Sequence, residues 1–405
     1  MPGSDASSFR NMVICGAGIG GLAMAIRSAE LGFRPRVIER RSEADVCQEG
    51  AFLTLAPNGM NGLRVLGCYD AVRGSGIETT GIEICNGRGK RLGFADQTDH
   101  DSAFGAPSVT MSRGGLTKVL LRRAREVGVE VRFSMPLKTM SRSRDGVRIE
   151  MADGECCEAP IVVGADGLGS TIRAQAFPHY PRPHFTGLIG TGGITPTDLP
   201  GTGGVMRMTF GDSAFFGYLI DEERRAYWFT TYPANAPTDG SIAEGEALAE
   251  QIRRRHVRDP EPNRAILNAV RTIDRCYPIF DMPELPAWSG DHVVLLGDAA
   301  HAVGPHAGQG ASMAIEDALV LAACMQGETS AQDAFDRYER QRRPRVAEVV
   351  KLTARNGSQK STTGRWSLLL RDLLLPILIP ISIRTGRKLL RYRADEAPLK
   401  DKAVA

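Results

Sequence analysis

This chain of 405 residues lacks the features that would place it in several broad protein classes. Its eight cysteines include no CxxC pair set beside histidines, so the usual structural zinc patterns are excluded and no metal site is expected. Cys156 and Cys157 are adjacent and do not suit pairing with each other, and the thiols are read as reduced, in a cytoplasmic setting. The net charge is only +3, and the arginines are scattered without a long basic run, which argues against a nucleic-acid partner. The polar start, Met1 to Arg10, lacks the apolar stretch of a secretory signal. The most apolar segment, 368–383, is interrupted by Arg371, Asp372, Pro376 and Pro380 and falls short of the ~20 residues needed to cross a bilayer. It is read as a packed C-terminal helix in preference to a membrane contact. Internal repeats and low-complexity tracts are absent too. What remains is an ordinary globular composition, 42% hydrophobic and 24% charged, long enough for more than one folding unit.

Against those absences stand three glycine-marked stretches. The first is Gly16-Ala17-Gly18-Ile19-Gly20-Gly21. Asn11–Cys15 reads as a strand before it, Leu22–Leu31 as a helix after it, and Arg36–Ile38 as a second strand closed by Glu39. That βαβ context is what a dinucleotide fingerprint requires. Gly16 permits the tight turn, Gly18 lets the backbone approach a pyrophosphate, and Gly21 lets helix and sheet sit close. The phosphate charge rests on free N–H groups at the helix start. Glu39 follows at roughly the ~20-residue interval at which an acid takes the ribose hydroxyls. The second stretch, Gly164-Ala165-Asp166-Gly167, follows the buried strand Ile161–Val163. The third opens with Gly297-Asp298, after the strand Asp291–Leu296, and runs to Asp317. A carboxylate at a strand's carboxyl end, as at Asp298, sits where open α/β sheets bind ligands. Gly304, Gly308 and Gly310 let a loop lie flat against a planar ring, and Pro305 stiffens it.

Elsewhere, Leu116–Val127 reads as a helix ended by Gly128, Val129–Phe133 and Val147–Met151 as strands, and Asp153-Gly154 as a hairpin turn. From about Phe177 to Trp288 the character changes. A stretch rich in proline and glycine precedes three β-rich runs, Val205–Phe210, Ala214–Ile220 and Ala226–Tyr232, joined by short turns. Helices are expected at Ser241–His256, Asn263–Ile273, Ala311–Met325 and Gln332–Asn356, the last with a break at Pro344.

This arrangement resembles the class A flavoprotein monooxygenases, the para-hydroxybenzoate and salicylate hydroxylase group. The resemblance rests on the first glycine cluster, on Gly164 to Gly167 with Ser170 and Arg173, and above all on the run Gly297–Asp317. It spans roughly Val13 to Tyr338. It implies an α/β fold: a Rossmann-like FAD-binding domain of mostly parallel sheet, with an inserted antiparallel-sheet substrate domain and C-terminal helices. The corresponding boundaries are 1–75, 105–176 and 288–330 for the FAD-binding domain, 76–104 and 177–287 for the substrate domain, and 331–405 for the helical segment.

The resemblance further implies FAD as cofactor and NADPH or NADH as a transient reductant, with no separate nucleotide domain for it. Reduced flavin would trap dioxygen, and a flavin C4a-hydroperoxide would hydroxylate or epoxidise an aromatic or polycyclic small molecule. The expected FAD contacts are Gly16, Gly18, Ile19, Gly20, Gly21, Glu39, Arg40, Arg113, Asp166, Gly297, Asp298, Pro305, Gly308, Gln309, Gly310 and Ala311. The helix from Ala311 would point its positive end at the ring, where reduced flavin carries negative charge. For Asp166 the alternative is an Asx turn, compatible with the cofactor role, and for Arg113 an exposed arginine at a helix start, second to the cofactor role.

Pro305 and His306 are candidates for the reactive edge, His306 with loop packing as an even alternative. His301 is read as structural. Arg207, Phe216, Tyr218 and Trp228 are candidate substrate contacts, with core packing or a solvated face as the alternative for each. A monomer or homodimer is expected. A halogenase and an oxygen-independent reductase of the same superfamily are the competing enzyme readings. The tryptophan-halogenase segment WxWxIP is not formed around Trp228, Trp288 or Trp366.

Overall fold

The computed structural model describes residues 10–48, 52–143, 145–237, 244–305, 308–358 and 365–396. Short runs of Val, Ile and Leu without polar alternation make strands that must be buried on both faces. They form a six-stranded sheet in the order Ser289–Gly290, Val293–Leu295, Ile161–Gly164, Asn11–Cys15, Arg34–Ile38, Glu130–Arg132. Every pairing is parallel except the outermost, Ser289–Gly290 against Val293–Leu295. The helix Ile19–Glu30, whose residues are nearly all buried, touches both Arg113–Glu126 and Gly310–Gly327. The expected α/β fold, with parallel sheet, antiparallel sheet and C-terminal helices, is the fold observed.

The second large sheet has seven strands where the sequence suggested three. Its order is Tyr277–Asp281, His184–Pro196, Arg225–Pro233, Phe215–Ile220, Val205–Phe210, Gly81–Asn86, Arg91–Asp96. The long strand His184–Pro196 lies within the stretch read as proline- and glycine-rich, because its glycines sit opposite large residues: Gly192 pairs with Phe229 and Gly193 with Trp228. One face of this sheet is sealed by the helices Gly245–Arg255 and Glu261–Ala269, through Leu248, Ile252, Ile266 and Leu267. A small sheet of Phe52–Leu55, Ser108–Ser112 and Ile77–Thr79 presents Phe52 to the other face.

The helix Ala331–Ser358 runs through Pro344 without the expected break. Proline removes one hydrogen bond from a helix interior. Here the turns on either side are held from outside, because Arg342 and Arg345 are buried and ion-paired with Glu316 and Asp317 of Gly310–Gly327. The helix Arg365–Leu390 likewise runs through Pro376 and Pro380, and its Leu375 and Ile379 pack on Leu92, Phe210 and Phe215. None of the helices is long and apolar enough to cross a membrane, and no cluster of metal-ligating side chains occurs, among the described residues.

Candidate active site

Parallel register brings the three glycine-marked stretches to one edge. Cys15 lies beside Gly164, and Gly164 beside Leu295, so all three strands end together. Backbone hydrogen bonds then lace the turns that follow: Ala165 N–H to Cys15 O at 2.9 Å, Leu296 N–H to Gly164 O at 3.0 Å, Gly16 N–H to Ile38 O at 2.8 Å. The carboxyl edge of such a sheet is where a nucleotide binds.

The first turn is shaped by absent side chains. Gly16 has φ +112°, and a Cβ there would lie 2.4 Å from the Ala165 carbonyl oxygen; a Cβ on Gly21 would lie 1.9 Å from Gly16 O. Gly18 is the opposite case, since nothing lies within 4 Å of its missing Cβ. The helix it starts has no side-chain cap and no acid in its first turn. Free N–H groups opening onto unfilled space form an anion cradle, and a pyrophosphate fits it. Glu39 is buried; one oxygen accepts from Ala17 N–H at 2.8 Å and the other from Arg41 N–H at 3.0 Å. Its lone pairs are not exhausted by these bonds, which fix its orientation at the strand end. Arg40 beside it is exposed.

Asp166 is a local cap. It accepts from Ser170 Oγ, from Thr171 N–H at 2.7 Å and from Ile172 N–H at 3.0 Å, at the start of Thr171–Ala176. Burial pushes its carboxyl above the ordinary range, against the pull of those hydrogen bonds. Arg173 is buried there too and donates to the Ala299 and Leu168 carbonyls, at 2.7 and 2.6 Å. Arg113 is the half-buried first residue of Arg113–Glu126, just after Ser112 caps that helix.

The third stretch carries an exposed carboxylate on a buried frame. Asp298 is exposed, while Ala299, Ala300 and His301 behind it are buried. Gly297 precedes it at φ +60° and donates its N–H to Asp317 at 2.8 Å. Asp317 also takes His301 Nε2 at 2.6 Å and Arg342 Nε at 2.7 Å, within the helix core. Burial alone would raise this carboxyl, but the charges of His301 and Arg342 outweigh it and hold it at about 2. Next to it, Glu316 accepts from Asn58 at 2.7 Å and Arg345 at 3.0 Å, with Arg342 Nη1 2.8 Å away, outside hydrogen-bond alignment. Asn58 also donates to Gln309 at 2.9 Å. This network therefore clamps the loop from both ends, Gly297 and His301 at one and Gln309 at the other.

Between the clamps, Pro305 and Gly308 are exposed, and Gly308 and Gly310 have nothing within 4 Å of a Cβ position. Ala311, half-buried, follows in the first turn of Gly310–Gly327, and Ile19 and Gly20 are buried in the first turn of Ile19–Glu30. His306 lies outside the described residues. The loop is tied to the second sheet through Gly304 N–H to Asp281 Oδ1 at 2.6 Å and Met282 N–H to Ala302 O at 2.8 Å.

The four residues expected to contact substrate lie on the face of the second sheet that the helices cover. Phe216 and Trp228 stack with ring centroids 6.1 Å apart, against Leu248 and Ile252 of the covering helices. Tyr218 belongs to the same cluster, and Arg207, its cross-strand partner, stands at the exposed rim 3.5 Å from Glu83. Alternation separates the two faces of a strand but does not say which one a later helix will cover. Here Gly245–Arg255 and Glu261–Ala269 cover this one. The opposite face presents Phe215, Tyr227 and Phe229. Phe52 meets Tyr227 and Phe229 edge-on, at centroid distances of 5.9 and 5.8 Å. Phe229 lies flat where Gly217 has no side chain, its ring 2.3 Å from a would-be Cβ. Period two gave Phe215 to this face, but nothing in the local sequence around Phe52 signals its partners 175 and more residues away. The clamp was half legible, as an acidic pair, Glu316 and Asp317, inside an alanine-rich helix.

This edge, with its anion cradle and an exposed carboxylate, is that of a flavin enzyme of the class A monooxygenase type. The family described as "FAD binding domain" matches residues 10–353, and the chain belongs to it. It is an FAD-dependent monooxygenase. It is 29% identical over 388 residues to aurachin C monooxygenase/isomerase of Stigmatella aurantiaca, covering 93% of this chain and 97% of that one. It is 28% identical to 6-hydroxynicotinate 3-monooxygenase of Bordetella bronchiseptica, over 85% of this chain and 91% of the relative. In fold it matches Klebsiella pneumoniae HpxO complexed with FAD and uric acid, with TM-score 0.82 at 22% identity, covering 94% of this chain and 97% of that one.

Proposed function

We propose that this enzyme transfers one atom of dioxygen to a neutral, apolar aromatic or polycyclic molecule at the expense of NADPH or NADH, by hydroxylation in preference to epoxidation. The observation that carries the reading is the tie between the loop that follows Asp298 and the antiparallel sheet, Gly304 N–H to Asp281 Oδ1 and Met282 N–H to Ala302 O, which joins an exposed carboxylate and open glycine loop to a sheet with an aromatic wall on one face. Tyr227, Phe229 and Phe52 provide that wall, Gly190, Gly192 and Gly217 alternate on its face, and Phe215 on the same face is covered by Leu375 and Ile379. A carboxylate substrate would require a cation there, whereas Arg207 stands on the far face. The name of the 6-hydroxynicotinate 3-monooxygenase relative supports an aromatic ring as substrate; because that ring carries a carboxylate, the neutral charge rests on the wall alone.

FAD fits the cradle. Gly16, Gly18, Ile19, Gly20 and Gly21 would hold its phosphates, with Glu39 and Arg40 at the adenosine end. Asp298 would take a ribityl hydroxyl, Arg113 and Asp166 would line the middle, and Pro305, Gly308, Gln309, Gly310 and Ala311 would border the ring. When bound, FAD supplies the redox chemistry: it accepts electrons from the nicotinamide nucleotide and activates dioxygen. The chain's own work is to orient and to keep dry. The Glu316–Arg342–Asp317 clamp fixes the loop, the helix start at Gly310 would offer its positive end to the ring, and the aromatic wall would exclude water from the reacting face. All eight cysteines are free, which agrees with a reducing, cytoplasmic setting.

The test is to purify the protein, measure bound flavin after denaturation, and screen neutral and carboxylated aromatics for stimulated NAD(P)H oxidation. Mass spectrometry would then look for a gain of one oxygen. Stimulation by neutral polycyclic compounds with oxygen incorporation is expected. Turnover that continues without dioxygen would favour a reductase, and stimulation confined to carboxylates would overturn the substrate class.

A further inference from the structure

A helix on a protein surface needs one apolar stripe, the one that faces the core. The helix Arg365–Leu390 has two. Its inner stripe, with Leu375 2% and Ile379 6% exposed, is packed on the antiparallel sheet. Its outer stripe is Leu370, Leu373, Leu374, Ile377, Leu378 and Ile381, at helical spacings of three and four. These residues are 41–70% exposed, with Leu373 at 70% and Ile377 at 64%. They make up six of the eleven large hydrophobic residues exposed among the described residues. An uncovered apolar row of this length marks an interaction surface.

We infer that this outer stripe seats the enzyme on the surface of an anionic phospholipid bilayer, with the helix lying in the plane of the interface. Charge selects the bilayer over a second copy of the chain. Continued by the same spacing, the stripe becomes Arg384, Lys388 and Arg391, all exposed. Asp372 is the single acid in 365–390, and it is turned to the protein, where it accepts from Asn86 at 3.0 Å and pairs with Arg371. Arg387, off this line, is committed to Asp99 at 2.7 Å. An apolar row flanked by cations suits acyl chains below and phosphate headgroups beside them. A self-dimer through this stripe would instead bring the cationic ends of two copies into one interface or leave them unmatched. The helix does not span, since it lacks the apolar length. Pro376 and Pro380 are exposed on it, a placement tolerated where the missing hydrogen bonds face an interface rather than the bilayer core.

The experiment is co-sedimentation of the full-length holoprotein with phosphatidylcholine vesicles, with and without phosphatidylglycerol, at low and high salt. Binding to the mixed vesicles, weakened by salt and much reduced on pure phosphatidylcholine, is expected. The variant L373E/I377E should abolish pelleting, and R384E/K388E should remove the preference for phosphatidylglycerol. Both should keep their circular dichroism and flavin content, because these side chains are exposed. The inference is overturned if the wild type stays in the supernatant with either vesicle, or if L373E/I377E pellets as well as the wild type. It is also overturned if light scattering shows a dimer that L373E/I377E converts to monomer.

Discussion

The two large sheets are built on different principles. The parallel sheet builds its first turn locally, strand, turn and helix following one another between Asn11 and Ile38, and joins it to strands far along the chain through backbone: the Ala165 carbonyl and Gly16 O lie where Cβ atoms on Gly16 and Gly21 would be. The antiparallel sheet borrows. One face is sealed by helices that come later in the chain, and the other receives Phe52 from well before it and Leu375 and Ile379 from far beyond it. On the proposed reading, cofactor grip is written in backbone, and substrate contact in side chains gathered from a distance. Substitutions should part along that line.

The largest effect belongs to Gly21→Ala. Its Cβ would sit 1.9 Å from Gly16 O, a clash with backbone that no rotamer relieves, so little folded, flavin-bearing protein is expected on purification. Gly18→Ala, with open space around it, should fold normally and lose only flavin affinity. If the two behave alike, the backbone account of the cradle is wrong.

Next comes the clamp. Arg342→Met leaves Glu316 and Asp317 buried with one partner fewer and should cost about 3–5 kcal/mol in denaturant unfolding. The same site sets an acid limit. Asp317 is held at about 2, below its unfolded value, so its contribution is fully present above about pH 4 and is lost as pH falls toward 2. Asp317→Asn should flatten the stability profile in that window while lowering stability at neutral pH.

On the antiparallel sheet, the two faces should separate cleanly. Phe216→Ala, inside the helix-covered core, should cost about 3–5 kcal/mol of stability, while the protein that folds keeps its substrate KM. Phe52→Ala, on the opposite face, should raise KM about 5- to 10-fold, the size of an aromatic contact worth ~1 kcal/mol, with a smaller change in stability. Equal KM effects from both would return the substrate to the helix side.

How much of this could be read beforehand follows the same division. The strand Asn11–Cys15, the glycine turn, Glu39 and the carboxylate at Asp298 were legible because each stands in a short pattern of strand, glycine and acid that is contiguous in sequence. The same holds for the run Val205–Phe210, whose bounds the structure keeps. Pro344 was read as a break, since local chemistry favours one; the ion pairs of Arg342 and Arg345 that override it join helices separated in sequence. His184–Pro196 was hidden by its glycines, which are explained only by the large residues paired with them. Which face of the sheet the helices cover was not legible, because a strand's alternation is symmetric until a covering element breaks the symmetry. Gly245–Arg255 does so from some fifteen residues beyond the sheet's last hairpin.

Equilibrium titration of FAD into flavin-free protein, comparing wild type with Asp298→Ala and Phe216→Ala, bears most directly on the proposed grip. The account predicts one FAD bound per chain and unchanged thermal stability in Asp298→Ala, with affinity weakened roughly 10- to 100-fold, the worth of a hydrogen bond to a charged group. Folded Phe216→Ala should bind like wild type. Affinity untouched by Asp298→Ala, or lowered as much by Phe216→Ala, would contradict it.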